Sequence, residues 1–322
     1  MNMNYIPSLV ILYQHYQQQA NEPRAEYARA LAEDIAGRVA RSAEVQLYFT
    51  PTPLTSIQTH MDLRGIEKDM MPITASLYAS ATEVSNAAYE AFLQDLLQER
   101  RFELLSSCQI RTADWRSLLP APFQNLPETT LFAHAHPDDP SSPIVNITHE
   151  AARAYCEWLT EMYNRSDHRR KQFSKVRFRL PTEEEWQLAA RAGRGGPYPW
   201  GGPYYRNIKG CYLANFNPYL SSPQQGPAAT CDTQPAIAVS GESISPGDDG
   251  GFFPVHVGSY SPNDFGLYNC SGNVAEMVSE PGITRGGGWM DSSEFIQLGV
   301  RNEATLPSPN VGFRIFMEVI EE

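Results

Sequence analysis

The sequence predicts a fold of mixed helices and strands with little regular secondary structure, preceded by a helical N-terminal segment. Three observations support this prediction. The 322 residues are 42% hydrophobic and 19% charged, which is typical of a globular chain. Apolar residues recur at helical spacing only in short stretches, and the segments between them are rich in Gly, Pro, Asn and Tyr. The tail from Val311 to Met317 alternates in polarity like a strand.

A first helix is predicted within Arg24 to Val45. Its apolar positions are spaced by four and form one stripe: Tyr27, Leu31, Ile35 and Val39. We expect this stripe to pack on the chain's own main domain, although another protein could cover it instead. Two prolines follow, and the composition changes near Leu63. We therefore divide the chain into a helical extension, residues 1–60, and a main domain, residues 61–322.

Three further helices are predicted in the main domain. The first runs from about Asn86 to Arg100, and the second from about Thr148, as N-cap, to Asn164. Within the second, Cys156 belongs to the apolar stripe and is expected in the core, and His149 is expected to be a first-turn residue rather than a base. The third begins at Thr182, where Glu185 completes a capping box.

The charge and the cysteines exclude several classes of protein. The net charge of -12 argues against a nucleic-acid partner, because phosphate binding needs clustered positive charge. The apolar stretch at residues 5–13 is too short to span a bilayer and lacks the features of a signal peptide. The five cysteines form no CxxC pair, and their odd number does not suggest a disulfide framework.

Six motifs occur in a specific order along the main domain. They are TEVSNAAY at residues 82–89, RLPTEEEW at 179–186, YPWG at 198–201, GLYNCSGNVAE at 266–276, RGGGW at 285–289 and GFR at 312–314. Over about residues 65–318 they resemble the sulfatase-modifying-factor domain, the family of the formylglycine-generating enzyme. The resemblance implies an α+β, C-type-lectin-like fold with little regular secondary structure.

Residues 198–276 carry a narrower resemblance. Their sequence is similar to the GldK and PorK lipoproteins of the gliding-motility and type IX secretion apparatus of Bacteroidetes, and Ala275 stands where the wider family usually has Trp. That branch is thought to form a periplasmic ring beneath the outer membrane, without enzymatic activity. The chain departs from it in lacking a lipid-bearing cysteine and in a shortened segment, Ser279 to Thr284.

The resemblance also tests for catalysis. The family's oxidase binds copper(I) through two cysteines, since soft thiolates select that metal. Carried over by position, these cysteines fall at Asp291 and Ile296, and the serine of the motif falls at Gly288. Neither Asp291 nor Ile296 can supply a thiolate. We therefore expect no copper and no formylglycine-generating activity.

Calcium is the cofactor that the resemblance implies, at one or two structural sites. The first would use the side chains of Asn269 and Glu276 and the carbonyls of Gly272 and Val274. The second would use Asn215, the carbonyl of Phe216, Asp249 (or Asp248) and a carbonyl near Gly251. Such oxygen donors suit a hard cation. The alternative is that Asn269 and Glu276 only satisfy backbone amides in a turn.

Several other side chains invite a functional interpretation. His134 and His136 could share a metal, although no third ligand is evident and a structural or solvated role is favoured. Trp200 and Trp289 are expected to be core anchors rather than sugar platforms. The arginines of the terminal motifs are expected to pair with carboxylates such as Glu83 or Glu185, and these arginines are Arg285, Arg301 and Arg314.

The sequence thus favours a non-catalytic interaction protein of a type IX secretion or gliding-motility complex, with a protein partner or copies of itself. It predicts a periplasmic, outer-membrane-associated location, with the cytoplasm as the alternative. Two other functions stay open. One is an enzyme of the family with altered chemistry near Asp291, and the other is a lectin-like binder of glycan or peptide.

Overall fold

The computed structural model describes most of the main domain and part of the N-terminal region. The described residues are 22–38, 63–119, 136–166, 173–220 and 253–321, with Leu9, Tyr13, Ala121, 124–125, Pro127, 237–239 and 242–244. By its internal contacts the chain separates into two compact units. One comprises Met1–Met61 with Leu93–Ile110, and the other comprises Asp62–Phe92 with Arg111–Glu322.

Helices and short strands alternate irregularly along these residues. The helices are α1 (Glu22–Arg38), α2 (Leu63–Asp69), α3 (Asn86–Gln98), α4 (Phe102–Ser107), α5 (His149–Arg165) and α6 (Glu183–Arg191), with a 3-10 turn at Pro218–Leu220. The strands are β1 (Met70–Pro72), β2 (Leu77–Ser80), β3 (Lys175–Arg179), β4 (Ile237–Val239), β5 (Glu242–Ile244), β6 (Ala275–Met277), β7 (Ile283–Arg285), β8 (Asn302–Glu303), β9 (Val311–Gly312) and β10 (Phe316–Glu321). The expected α+β class is confirmed.

The strands form two four-stranded sheets and one hairpin. The first sheet has the order β1-β2-β10-β3 and is antiparallel, with Phe316 of β10 opposite Ala79 on one side and Arg179 on the other. The second sheet has the order β8-β7-β6-β9, in which β6 and β9 run parallel. Strands β4 and β5 form the hairpin.

Local signals set the ends of two helices. The Thr148 side chain accepts a hydrogen bond from the amide of Ala151 and caps α5. At α6, the Thr182 side chain accepts from the amide of Glu185, and the Glu185 carboxylate accepts from the amide of Thr182. Both N-caps are confirmed, and helix α3 confirms the helix predicted from Asn86.

Helix α5 packs on the first sheet through polar and aromatic contacts. The Thr160 hydroxyl bonds to both the amide and the carbonyl of Phe178, and Asn164 bonds to both backbone groups of Val176. These contacts anchor the helix to β3. Tyr163 of the helix meets Phe178 of β3 at a ring-centroid distance of 5.5 Å, and Tyr155 and Trp158 of the helix meet Tyr89, Phe92 and Phe313 at 5.2–5.9 Å. Cys156 and His149 are buried, and His149 is the first residue of α5, as predicted.

Two predictions need correction. The tail is not one strand: β9 belongs to the second sheet and β10 to the first, because the chain leaves one sheet at Gly312 and enters the other at Phe316. Among the described side chains of α1, Ala25, Ala28 and Ala32 are buried, whereas Leu31 of the predicted stripe is 36% exposed. The side chains of the other stripe residues lie outside those described, and the proposed boundary at residue 60 stays a prediction.

No helix in the described part of the chain has the length and apolar character needed to cross a bilayer.

Candidate functional site

A turn between β7 and β8 holds the residues that the resemblance places at the catalytic position. The carboxylate Oδ2 of Asp291 accepts hydrogen bonds from the amide of Gly288 at 2.8 Å and from Asn310 Nδ2 at 2.7 Å. The Asn310 Oδ1 accepts in turn from the amide of Met290 at 3.0 Å. Asp291 therefore closes the turn, and Asn310 ties it to the segment that leads into β9.

Gly288 is required by this packing. A Cβ at this position would lie 2.7 Å from the carbonyl oxygen of Asn310, which is closer than ordinary packing allows. The glycine that stands at the family's serine position therefore makes room for the Asn310 backbone. Ile296 is fully buried beside Tyr198, Tyr205 and Phe216, so it is a core residue.

The described thiols do not supply a reactive group near this turn. Cys108, Cys156 and Cys270 are free and buried. Burial raises the pKa of Cys108 and of Cys156, and it raises the pKa of Cys270 to about 12, so the thiolate forms of all three are strongly disfavoured. Cys211 is disulfide-bonded, a feature that the cysteine pattern did not predict.

Next to the turn lies a buried polar network centred on Arg314. Its guanidinium pairs with the Glu276 carboxylate at 2.7 Å and donates to the carbonyls of Ser80, Ala81 and Tyr268 at 2.5–2.8 Å. The Trp186 indole donates to Oε2 of Glu276 at 2.7 Å. All donors of Arg314 and both oxygens of Glu276 are therefore engaged inside the protein.

Glu83 extends this network toward the predicted first calcium segment. Its carboxylate accepts from Asn269 Nδ2 at 3.1 Å and from Asn273 Nδ2 at 2.8 Å. Burial raises the pKa of Glu83 to about 7, an effect that Arg314 opposes and the charge of Glu276 increases. The side-chain Nδ2 atoms of Asn269 and Asn273 also donate to the backbone carbonyls of Val257 and Val255, respectively.

The two predicted calcium segments lie against each other. The amide of Asn273 donates to the carbonyl of Asn215 at 2.7 Å, and Asn215 Nδ2 donates to Asn273 Oδ1 at 3.3 Å and to the Phe253 carbonyl at 2.8 Å. Gly272, at φ +78°, passes so close to the Asn215 carbonyl oxygen that a Cβ would fall within 3.0 Å of it. The segments therefore meet through the backbone.

The donors of these segments fit a cation unequally. Glu276 does not fit the role of ligand in this arrangement, because Arg314 and Trp186 already engage both of its oxygens. Asn215 does fit, because its Oδ1 is buried and accepts no hydrogen bond from the described residues. Phe216 is buried beside it, whereas Asp249 and Gly251 lie outside the described residues. The calcium ligands Asn269, Gly272 and Val274 stay a prediction.

The arginines of the terminal motifs form ion pairs with carboxylates, as predicted, but these carboxylates are not the ones suggested from the sequence. Arg285 and Arg301 both contact Glu183, at 3.1 and 2.9 Å, and Arg301 also contacts Glu280. Glu83 and Glu185, the two carboxylates suggested from the sequence, have other partners. Glu185 pairs with Arg179 at 2.6 Å, and Glu83 accepts from the two asparagines.

The remaining candidates divide between core and surface. Trp289 is buried, as predicted, whereas Trp200 is half-buried and stacks on Tyr198 with ring centroids 4.9 Å apart. His134 lies outside the described residues. His136 is half-exposed beside Asp138, and the described residues contain no group of three side chains suited to a metal ion.

The comparison with known families decides the identity of the domain. The model of the sulfatase-modifying factor enzyme 1-like domain matches residues 67–319, which is most of the chain. The chain belongs to this family. The match spans both four-stranded sheets, the Asp291 turn and the Arg314 network.

Family members with catalytic and with inactive names are both similar to the chain. It is 29% identical over 189 residues to inactive C-alpha-formylglycine-generating enzyme 2 of Bos taurus, covering 53% of this chain and 49% of the relative. It is 28% identical over 221 residues to the formylglycine-generating enzyme of Mus musculus, covering 63% and 48%. The chain thus spans about half the length of these curated relatives. Among solved structures, PvdO from Pseudomonas aeruginosa is 21% identical with a TM-score of 0.45, covering 75% of this chain and 80% of that one.

Sequence reasoning missed two polar residues of this family site, Asn273 and Asn310, and it named Glu83 only as a possible partner of an arginine. Each lies inside a recognised motif or next to one, but its role depends on a partner far away in the sequence. One signal was available for Asn273. It stands directly after Gly272, and a Gly-Asn pair is typical of a tight turn; in the structure its backbone has φ +62°, which asparagine tolerates better than most residues.

Proposed function

We propose that this chain is a non-catalytic member of the family that serves as an interaction module in a cell-envelope complex of the type IX secretion or gliding-motility kind. The observation that carries the non-catalytic part is the Asp291 turn. Asp291, at the position assigned to one copper cysteine, closes a turn through its carboxylate. Ile296, at the position assigned to the other, is buried in the core. Neither side chain can bind copper(I) as a thiolate.

The state of the cysteines adds a second line of support. A thiol must ionise to bind the metal or to attack a substrate, and the free thiols among the described residues are all buried with raised pKa values. Two of the similar curated proteins carry the word inactive in their names, so the family includes members without the oxidase activity.

The disulfide at Cys211 favours an oxidising compartment. Disulfides form and persist in the periplasm and outside the cell and are rare in the cytosol. This supports a periplasmic location over the cytoplasmic alternative, and association with the outer membrane stays part of the proposal. We also propose that the GldK and PorK branch and the C-type-lectin-like fold implied by the motifs apply to this chain.

The catalytic alternative is tested with a cysteine-containing sulfatase peptide, copper(I) and oxygen, followed by mass spectrometry for formylglycine. We expect no conversion by the wild-type chain and none by the Asp291→Ala variant. Conversion that Asp291→Ala abolishes would overturn the non-catalytic proposal and establish altered chemistry at this turn.

The envelope role is tested by a native pull-down of the tagged chain from its own cells in mild detergent, followed by mass spectrometry. We expect outer-membrane and periplasmic secretion proteins in a fixed ratio, with an unrelated tagged periplasmic protein as the control. Recovery of the chain alone, or with cytosolic proteins only, would contradict the envelope role whatever the oxidase assay shows.

The compartment is tested separately through Cys211. Mass spectrometry of the chain isolated with its thiols blocked at lysis should find Cys211 in a disulfide and Cys108, Cys156 and Cys270 as thiols. A Cys211 recovered in the reduced form would contradict an oxidising location.

A further inference from the structure

A small open cavity lies beside Trp200, on the side of the main domain formed by the YPWG motif and the segment that precedes GLYN. Its volume is about 110 Å³, and its lining combines an aromatic ring, apolar side chains and an ion pair. The residues that matter here are Arg194, Trp200, Leu213, Ser261, Pro262 and Asp264. None of them belongs to the Asp291 turn or the Arg314 network. We propose that this cavity binds one neutral saccharide ring of a glycan.

The aromatic wall of the cavity is held rigidly. Tyr198 stacks on Trp200 with an angle of 14° between the ring planes, and the Trp200 indole donates to the carbonyl of Tyr204 at 2.7 Å. The indole is half-buried and fixed in orientation before any ligand arrives. A fixed aromatic surface loses little conformational entropy on binding, and it suits the apolar C–H face of a sugar ring.

The polar wall is an ion pair whose two members are also fixed. Arg194 donates through Nε and Nη2 to the two oxygens of Asp264, at 2.5 and 2.7 Å, and through Nη1 to the Trp200 carbonyl. The pKa of Asp264 is lowered by this guanidinium, so the carboxylate stays ionised. Asn263 holds the segment in place, since its side chain bonds to the backbone of Ala189 and of Leu267.

The groups of this wall that remain available for hydrogen bonding indicate what kind of ligand the cavity can bind. Three of the five guanidinium N–H groups of Arg194 are engaged, and each Asp264 oxygen keeps a free lone pair. The Ser261 hydroxyl has no hydrogen-bond partner among the described residues and stands at the exposed rim. The cavity wall therefore presents hydrogen-bond donors next to hydrogen-bond acceptors. Neighbouring hydroxyls of a sugar ring both donate and accept, so they match this arrangement.

The charges and the size of the cavity restrict the class of ligand further. An anionic ligand would meet the Asp264 carboxylate, and a cationic one would meet Arg194, so a neutral ligand is favoured at the balanced pair. The cavity is smaller than the closed cavity of about 150 Å³ that holds a benzene molecule, but it is open on one side, so it can contact one face of a single ring and leaves the rest of a glycan outside.

The test uses the full chain labelled with 5-fluorotryptophan and a panel of neutral methyl glycosides, read by fluorine NMR. The chain has five tryptophans, and the Trp200→Phe variant assigns the signal of Trp200. We expect at least one neutral glycoside to shift that signal and no other. Asp264→Asn should weaken its binding at least tenfold. Tyr204→Ala is the matched control, because it removes a 60% exposed aromatic side chain outside the cavity and keeps the carbonyl that fixes Trp200.

Three results would overturn the proposal. The first is that no neutral glycoside shifts the Trp200 signal at saturating millimolar concentrations. The second is that binding persists unchanged in Asp264→Asn, whose fold is checked by its melting temperature. The third is that only a uronic acid or an amino sugar binds. This site is independent of the proposed envelope role, because purified protein is used and no partner is involved.

Discussion

Arg314 and Glu276 form an ion pair at 2.7 Å in which each side chain is only 1% exposed. Both belong to short family motifs near the end of the domain, and the pair joins the second sheet to the carbonyls of Ser80 and Ala81 at the end of β2. Because Trp186 also donates to Glu276, strands of both sheets and helix α6 converge on one buried ion pair.

Removing one member of this pair is expected to be highly destabilising. Arg314→Met would leave the Glu276 carboxylate buried without its counter-charge, at a cost of about 3–5 kcal/mol in the free energy of unfolding. Urea unfolding at pH 7 measures the loss. A double variant, Arg314→Met with Glu276→Met, should recover part of it, because no unpaired charge then remains.

The matched control is Arg301→Met, since Arg301 also bridges carboxylates but is 42% exposed. Exposed ion pairs contribute about 0–1 kcal/mol, so this variant should unfold close to the wild type. If Arg314→Met were as stable as Arg301→Met, the buried network would have no special role in the fold.

The close contact between the two predicted calcium segments can be tested by replacing the glycine that permits it, Gly272. Gly272→Ala would place a Cβ within 3.0 Å of the Asn215 carbonyl oxygen, whereas Gly282 has nearly the same φ, +82° against +78°, with nothing within 4 Å of an added Cβ. Both variants pay for the left-handed conformation, about 1–2 kcal/mol. Only Gly272→Ala also separates the segments.

We therefore expect the free energy of unfolding to fall clearly more for Gly272→Ala than for Gly282→Ala, as measured by urea denaturation of both variants. Equal losses would show that backbone conformation alone explains the effect and that the segments can move apart at little cost.

Glu185 should contribute stability that depends on pH. Its carboxylate binds both Nη atoms of Arg179, at 2.6 and 2.7 Å, and accepts from the Thr182 amide, and Arg179 is the main cause of its lowered pKa. A carboxylate whose pKa is lowered by folding adds stability above its unfolded pKa of about 4.3, and this contribution disappears as the pH falls through the folded pKa.

Glu185→Gln should accordingly lower the free energy of unfolding at pH 7, by about 1–2 kcal/mol, and the loss should be smaller at pH 3, which lies below the unfolded pKa of about 4.3. Urea titrations at both values give the comparison. Glu303→Gln serves as the control, because Glu303 is 85% exposed and lies 3.9 Å from Arg301. A deficit in Glu185→Gln that is the same at both pH values would assign its role to the capping geometry alone.

The sequence predicts this molecule well where the decisive contacts are local. The Thr182–Glu185 capping box and the Thr148 cap lie within one helical turn, so their residues suffice to place the helix ends. The tail was predicted as one strand because alternation does not show which sheet a strand joins, and that depends on Ala79 and Arg179 far earlier in the chain. Among the described side chains of α1, Ala25, Ala28 and Ala32 are buried, whereas Leu31 of the predicted stripe is 36% exposed.

The same limit explains what was predicted of the candidate site. The motifs identified Asn269, Glu276 and Arg314 as members of one region, and burial confirms that they lie in the interior. Their partners could not be predicted, because Glu83 and Trp186 are 186 and 90 residues away from the side chains that they contact. The disulfide of Cys211 was missed because isolated cysteines carry no spacing signal.

Calcium binding can be tested through Asn215, whose Oδ1 is buried and free of hydrogen bonds from the described residues. If this oxygen is a ligand, calcium should raise the melting temperature of protein first stripped with a chelator, because an ion that binds only the folded state stabilises it by mass action, by about 2.7 kcal/mol at a hundredfold excess over Kd. Magnesium at the same concentration should have less effect, since it demands a tighter octahedral shell.

Asn215→Ala should abolish the difference between the calcium and chelator melts, and Asn215→Asp should keep it. The alanine variant also loses the donations to Phe253 and Asn273, so its baseline stability falls, and the readout is therefore the calcium-dependent shift rather than the melting temperature itself. Asn302→Ala, at a half-buried asparagine whose side chain donates to the carbonyl of Phe295, controls for the loss of an amide. A wild-type chain that melts identically with calcium and with chelator would show that Asn215 stabilises the two segments without any ion.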